Sequence, residues 1–129
     1  MSVDPRATFD RLFPALLAGD RATLSELLDE DVTWHIPPFA HMEPRRGRDA
    51  AIRFLCKAPA NFYQPGSLSL VPEVQAFEGD RALLLGWMTG TTTSGKPYRN
   101  RYAFAVRFRE GRVIEAWELL DSKELFDQL

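Results

Sequence analysis

Apolar positions in the first third of the chain recur at helical spacing. Phe9, Leu12, Phe13, Leu16 and Leu17 form one face. Asp4-Pro5 opens this helix, with Asp as its cap and Pro in its first turn. Pro14 lies inside the pattern and predicts a kink or an early end. Gly19 closes the helix, and Asp20 caps a second one carrying Leu24, Leu27 and Leu28. Residues 31–36 alternate and read as a strand, stopped by Pro37-Pro38. A loop over 37–46 leads to a third helix over 47–57, with Ala51, Ile52 and Leu55 toward a core. Pro59, Pro65 and Gly66 mark another loop, which carries Phe62 and Tyr63.

Beyond residue 67 or so the pattern becomes strand and tight turn. Gly79-Asp80, Ser94-Gly95 and Glu110-Gly111 lie between β-rich runs at hairpin spacing. They predict a four-strand meander followed by a short helical tail over 122–129. Helices early and strands late predict one α+β domain over residues 1–129, with helices covering one face of an antiparallel sheet.

The turns also predict a register. With two-residue loops at Ser94-Gly95 and Glu110-Gly111, Trp87 pairs with Tyr102, and Val113 with Phe108. On residues 98–108 the even positions, among them Tyr98, Asn100, Tyr102 and Phe104, alternate with three arginines and two alanines. The even face is then the inner one. It carries the rows Leu85–Phe104–Trp117, Trp87–Tyr102–Leu119 and Thr89–Asn100–Asp121. Trp34 is expected to face the same cup and His35 to face away. An apolar cup with one polar row is the profile of a small-molecule site. Trp34, Trp87, Thr89, Tyr98, Phe104, Trp117 and Leu119 are its expected ligand-binding wall.

Composition narrows the partners. The formal net charge is −2, which gives no overall field toward nucleic acid or an anionic membrane. Arg99, Arg101 and Arg107 form a basic stripe on the outer face, read as a solvated face or a homodimer interface balanced by Glu118. Ala103, Ala105, Ile114, Ala116 and Leu120 are its expected apolar centre. Cys56 is the single cysteine; no internal disulfide can form, and a reducing cytoplasmic setting is expected. No secretory leader pattern or membrane-length apolar run is present in the sequence.

Among groups that could do chemistry, Asp121 leads. It would sit at the exit of a buried strand beside Asn100, where lost hydration raises a carboxyl pKa and suits it to acid–base work. Asp121 equally reads as the cap of the last helix. Asn100 and Tyr102 would orient it or the ligand, and Tyr98 could also donate into the cup. His35 points away, and His41 lies in the 37–46 loop. Two histidines and one cysteine lack zinc-site spacing, so no metal is expected. No phosphate loop or other cofactor motif occurs, and Cys56 reads as core.

The stretch Asp31-Val32-Thr33-Trp34-His35-Ile36-Pro37, followed by Gly47-Arg48-Asp49-Ala50, resembles the SnoaL-like branch of the nuclear transport factor 2-like superfamily. The runs 95–100, 110–114 and 118–121 are similar to the last strands of that family. The resemblance implies a cone: a curved antiparallel sheet wrapped around three N-terminal helices, with an internal pocket and a dimer packed through the sheet. It spans isomerases, cyclases, hydrolases and non-enzymes. Asp121 matches the last aspartate of the Asp-Arg-Asp set of limonene-epoxide hydrolases, but Trp87 and Thr89 stand where its partners would be. Ile36 stands about where ketosteroid isomerases hold their base. A polyketide-cyclase-like mechanism with one acid–base aspartate asks least. Two readings stay open: an acid–base enzyme acting on a hydrophobic, cyclic substrate, and a domain that binds a small apolar ligand without turnover.

Overall fold

The computed structural model describes residues 3–36 and 42–129. Helix α1 (Pro5–Ala18) is capped by Asp4, whose carboxylate accepts from the Arg6 N–H at 3.0 Å. The helix does not end at Pro14. It runs on to Gly19, which takes the left-handed conformation with φ 64°. Burial of Phe9, Leu12, Phe13 and Ala15 on both sides of the proline outweighs the one lost backbone bond. Helix α2 (Arg21–Leu27) is capped by Asp20 as expected. Strand β1 (Leu28–His35) follows it directly. A two-residue strand, β2 (Arg45–Arg46), is an addition to the expected elements. Helix α3 (Arg48–Lys57) starts after Gly47 and continues into a 3₁₀ turn, Ala58–Asn61. Strands β3 (Ser69–Glu78), β4 (Arg81–Thr91), β5 (Pro97–Arg109) and β6 (Arg112–Leu120) form the meander, and α4 (Ser122–Gln128) ends the chain.

The fold is α+β. The six strands form one curved, unclosed sheet in the order β2-β1-β6-β5-β4-β3. All neighbours are antiparallel except β1 and β6, which run parallel; the expected all-antiparallel sheet is corrected at that pair. The helices fill the concave side. Phe9 and Phe13 of α1 meet Phe77 of β3, Phe104 and Phe108 of β5 edge to face, with centroids 5.1–6.5 Å apart.

Two register corrections decide the site. The β4–β5 loop has three residues, not two. Thr92 faces Lys96 through a backbone bond of 2.8 Å and a side-chain bond of 3.0 Å. Trp87 therefore pairs with Arg101, and Tyr102 with Gly86. The second hairpin begins as expected. Glu110 and Gly111 both have positive φ, 53° and 79°, and Val113 faces Phe108. A bulge then intervenes beside Arg107, and Phe104 faces Glu118 instead of Trp117. Strand side chains alternate, so a one-residue shift moves each of them to the other face.

Candidate active site

The inner rows of the structure are Leu84–Phe104–Glu118 and Gly86–Tyr102–Leu120. The even face of β5 is inward, as expected: Tyr98, Asn100, Tyr102 and Phe104 are all buried. Trp34 is also buried completely. The other expected wall residues are outside. Trp87 lies on the convex face, with the guanidinium of Arg99 3.7 Å and that of Arg101 4.8 Å from its ring. Thr89 pairs with the exposed Arg99. Trp117 and Leu119 are 36% and 54% exposed. These four do not line the cup, because the shifted registers turn β4 and the end of β6 over.

Asp121 is corrected in the same way. It lies past the end of β6, exposed, and its Oδ1 accepts from the Glu124 N–H at 3.1 Å. It caps α4. The expected polar row of Thr89, Asn100 and Asp121 does not form, and with it goes the ground for Asp121 as the acid–base group. Asn100 does meet Asp121, but through the backbone carbonyl, at 2.9 Å.

The carboxyl that faces the cup is Glu118. Two cavities, of about 400 Å³ and about 90 Å³, meet beside it. The residue as a whole is half-buried, yet its carboxyl is stripped of water, and burial pushes its pKa from 4.5 up to about 7. The indole N–H of Trp34 partly offsets that by favouring the charged form. This N–H is buried without a full hydrogen bond, so it acts on Glu118 as a nearby dipole.

A string of hydroxyls adjoins the carboxyl. Tyr63, just after the 3₁₀ turn, is 3.2 Å from Tyr102 between hydroxyl oxygens, and Tyr98 is 3.1 Å from Tyr102. Asn100 Nδ2 donates to the Tyr98 hydroxyl at 2.9 Å. Burial raises the pKa of both Tyr63 and Tyr102, so both stay protonated donors. The sequence reading missed Tyr63 as a site residue and placed Glu118 on the wrong face. Among the described residues, no group of three His, Cys, Asp or Glu could hold a metal ion. His41 lies outside the described residues. His35 is on the convex face as expected, stacked on Trp117 at 5.1 Å, with Nε2 2.7 Å from Glu115. Cys56 is free and half-buried, packed against the core.

A SnoaL-like domain matches residues 9–116. The chain belongs to the SnoaL-like family. Among solved structures, wild-type IdmH of Streptomyces antibioticus, a candidate polyketide cyclase, is 25% identical, with a TM-score of 0.81 and 98% of each chain covered. A candidate SnoaL-like polyketide cyclase from a Jannaschia species has a TM-score of 0.84 at 20% identity, covering 98% of this chain and 92% of that one. An NTF2-like protein of unknown function from Burkholderia pseudomallei has a TM-score of 0.83 at 22% identity, covering 98% and 97%. No curated protein matches the chain significantly. The SnoaL-like chain thus shares its fold with cyclase-type and uncharacterised proteins alike.

Proposed function

We propose that the protein is an acid–base enzyme of the cyclase or isomerase type, acting on a hydrophobic carbonyl compound. The observation that carries this reading is Glu118, a carboxyl poised near neutrality between two apolar cavities and beside two phenolic hydroxyls. A carboxyl of that pKa is present in both protonation states at pH 7, which is what proton shuttling at carbon requires. The Glu118 carboxylate would take a proton from the carbon next to a carbonyl. The C–H electron pair then moves into the carbonyl, and the resulting enolate oxygen is held by a tyrosine hydroxyl. Glu118 returns the proton to the γ carbon, where a C=C bond beside the enolate spreads its charge that far, or to the alkoxide formed when the enolate closes a ring on a second carbonyl. The likeness to a candidate polyketide cyclase agrees with a substrate rich in carbonyls.

Two further expectations belong to this reading. The protein would work in a reducing cytoplasm, and as a homodimer packed through its convex sheet face. Among the described residues no helix is long and apolar enough to cross a membrane.

The test is hydrogen–deuterium exchange at carbon for a panel of aryl ketones in D2O, followed by NMR. Glu118→Gln should lower exchange by roughly 10²–10⁴-fold. Exchange that survives this change would remove Glu118 from the mechanism. Binding without any exchange would leave a non-catalytic ligand carrier.

A further inference from the structure

Among the described residues, the indole nitrogen of Trp34 is the only buried side-chain nitrogen or oxygen that makes no full hydrogen bond. The side chain is wholly enclosed, and it lines neither of the two cavities beside Glu118. A ligand does not reach it. The strands show where it is aimed. Trp34 of β1 pairs with Ala116 of the parallel strand β6. Glu118 stands two residues further along β6 and so shares the concave face with Trp34. The indole N–H is the polar group that meets the Glu118 carboxyl from β1.

Folded proteins rarely leave a buried donor idle. A neutral carboxyl is a modest acceptor, whereas a carboxylate draws a donor into a shorter and stronger bond. The contact therefore tightens when Glu118 loses its proton, and a bond that favours one charge state shifts the balance between the two. No other charge competes for this task. Among the described residues lining the two cavities, Glu118 is the only charged group, and Tyr63 and Tyr102 are the only other titratable ones. Tyr98 stands behind Tyr102. Helices α1, α3 and α4 offer the cavities apolar side chains, among them Leu16, Leu55 and Leu125. Arg45 of β2, opposite Trp34, has its guanidinium 4.8 Å over the Phe54 ring. His35 and Glu115 bond each other on the convex face.

We propose that Trp34 is a positioning residue for Glu118: its N–H closes on one carboxylate oxygen as the proton leaves and keeps the other turned to the cavity. This rests on the reading of Glu118 as the acid–base group, and it adds what sets the proton affinity of that group. Burial by itself would keep the carboxyl protonated to a higher pH. Trp34 brings it back toward neutrality, where both charge states are populated. The oxygen held by the indole is occupied, so the free oxygen is the base.

The test is NMR of protein carrying 15N-labelled tryptophan and 13C-carboxyl glutamate, from about pH 5 to about pH 9. The Trp34 indole N–H signal should move downfield as Glu118 ionises, with the same midpoint as the Glu118 carboxyl. It should stand still in Glu118→Gln and keep its movement in His35→Gln. Trp34→Phe should raise the carboxyl midpoint by about one pH unit. The pH midpoint of aryl-ketone deuterium exchange should rise equally, so that exchange at pH 7 falls about fivefold and recovers at higher pH. If Trp34→Phe does not fold, the indole titration in the parent and in Glu118→Gln decides alone. An indole signal that ignores Glu118 or follows His35, or an unmoved carboxyl midpoint in Trp34→Phe, would overturn the proposal. So would lower exchange at every pH with the midpoint unchanged, which is the mark of a merely structural role. Matched titration of the pair without exchange of any ketone supports the proposal and removes the reaction. Exchange that depends on Glu118 beside an indole that ignores it removes Trp34 alone.

Discussion

Asn100 donates to the hydroxyl of Tyr98 at 2.9 Å, and that single bond gives the tyrosine string a direction. The carboxamide cannot be turned round. Its Oδ1 accepts from the Arg101 N–H at 2.8 Å, and its amide nitrogen also donates to the Asp121 carbonyl. Tyr98 therefore accepts a hydrogen bond from Asn100, which leaves its own O–H to donate to Tyr102. Tyr102 and Tyr63 then have two protons for one remaining bond between them. One O–H is left to point into the cavity, polarised by the bonds behind it. The string is a donor and suits a carbonyl oxygen.

Cutting the string should be visible on the ligand. Tyr98→Phe leaves the Asn100 proton without its acceptor and Tyr102 without its donor, at a cost of about 1–3 kcal/mol in stability. The C=O stretch of a bound naphthyl ketone should move to higher frequency than in the parent protein, as the cavity donor weakens. An unmoved stretch would mean that the carbonyl is not held by this string.

Glu118 should make the protein less stable as pH rises. Its folded pKa, about 7, lies above the ordinary 4.5, so the folded state holds the proton more tightly. Between those two values the folded chain binds more protons than the unfolded chain, and stability falls as pH climbs through that window. The full shift corresponds to roughly 3 kcal/mol, and the half-buried position of the residue reduces it to about 1–3 kcal/mol. Glu118→Gln, always neutral, should melt at the same temperature as the parent near pH 4 and higher than the parent at pH 8. Melting curves across that range decide it. Identical pH dependence in the two proteins would place the Glu118 carboxyl in water.

The helices and the four-strand meander were legible from caps and turn residues. The inward face of β5 was legible because residues 98–108 alternate cleanly between large side chains and arginine or alanine. The short β2 and the parallel β1–β6 pair were not. Nor were the faces of β4 and β6. Residues 82–88 are apolar or glycine at every position, because both faces of that strand carry apolar side chains, so a slip of one leaves no mark in the pattern. On β6 each parity holds one glutamate, Glu115 or Glu118, so charge does not choose between them. The adjacent pair Val113-Ile114, both buried, was the one available sign of the bulge that turns Glu118 inward. Tyr63 comes to the site through the fold of a loop, held by a backbone bond to Pro59 and a bridge to Thr92. No periodicity carries that information.

Asp121 should behave as a cap. Asn fills a cap position about as well as Asp, so Asp121→Asn should be nearly silent in melting and in ketone exchange, while Asp121→Ala should cost about 0.5–2 kcal/mol. A large loss of exchange in Asp121→Asn, with stability intact, would return this carboxylate to the chemistry and displace Glu118.

The convex face should hold a second copy of the chain. Two apolar rows cross it: Val74–Leu85–Ala103–Leu119, and Ala76–Leu83–Ala105–Trp117, which β1 extends with His35. The expected centre is corrected in part. Ala103 and Ala105 belong to it, whereas Ile114 and Ala116 are buried and Leu120 lines the cavity. Charged groups stand on either side of the rows: Arg101 is paired with Glu73 at 2.7 Å, and Arg107 with Glu115 at 3.1 Å. Glu118, expected to balance these arginines, is on the other face. Leu83, Leu119 and Val74 are 44%, 54% and 50% exposed in one copy, which suits an apolar centre with a charged rim. Leu119→Asp places a charge in the middle of that centre and touches nothing in the cup. It should convert a dimer into a monomer by light scattering at micromolar concentration, with ketone exchange per chain retained. A parent protein that is monomeric under the same conditions would rule the face out as a dimer interface.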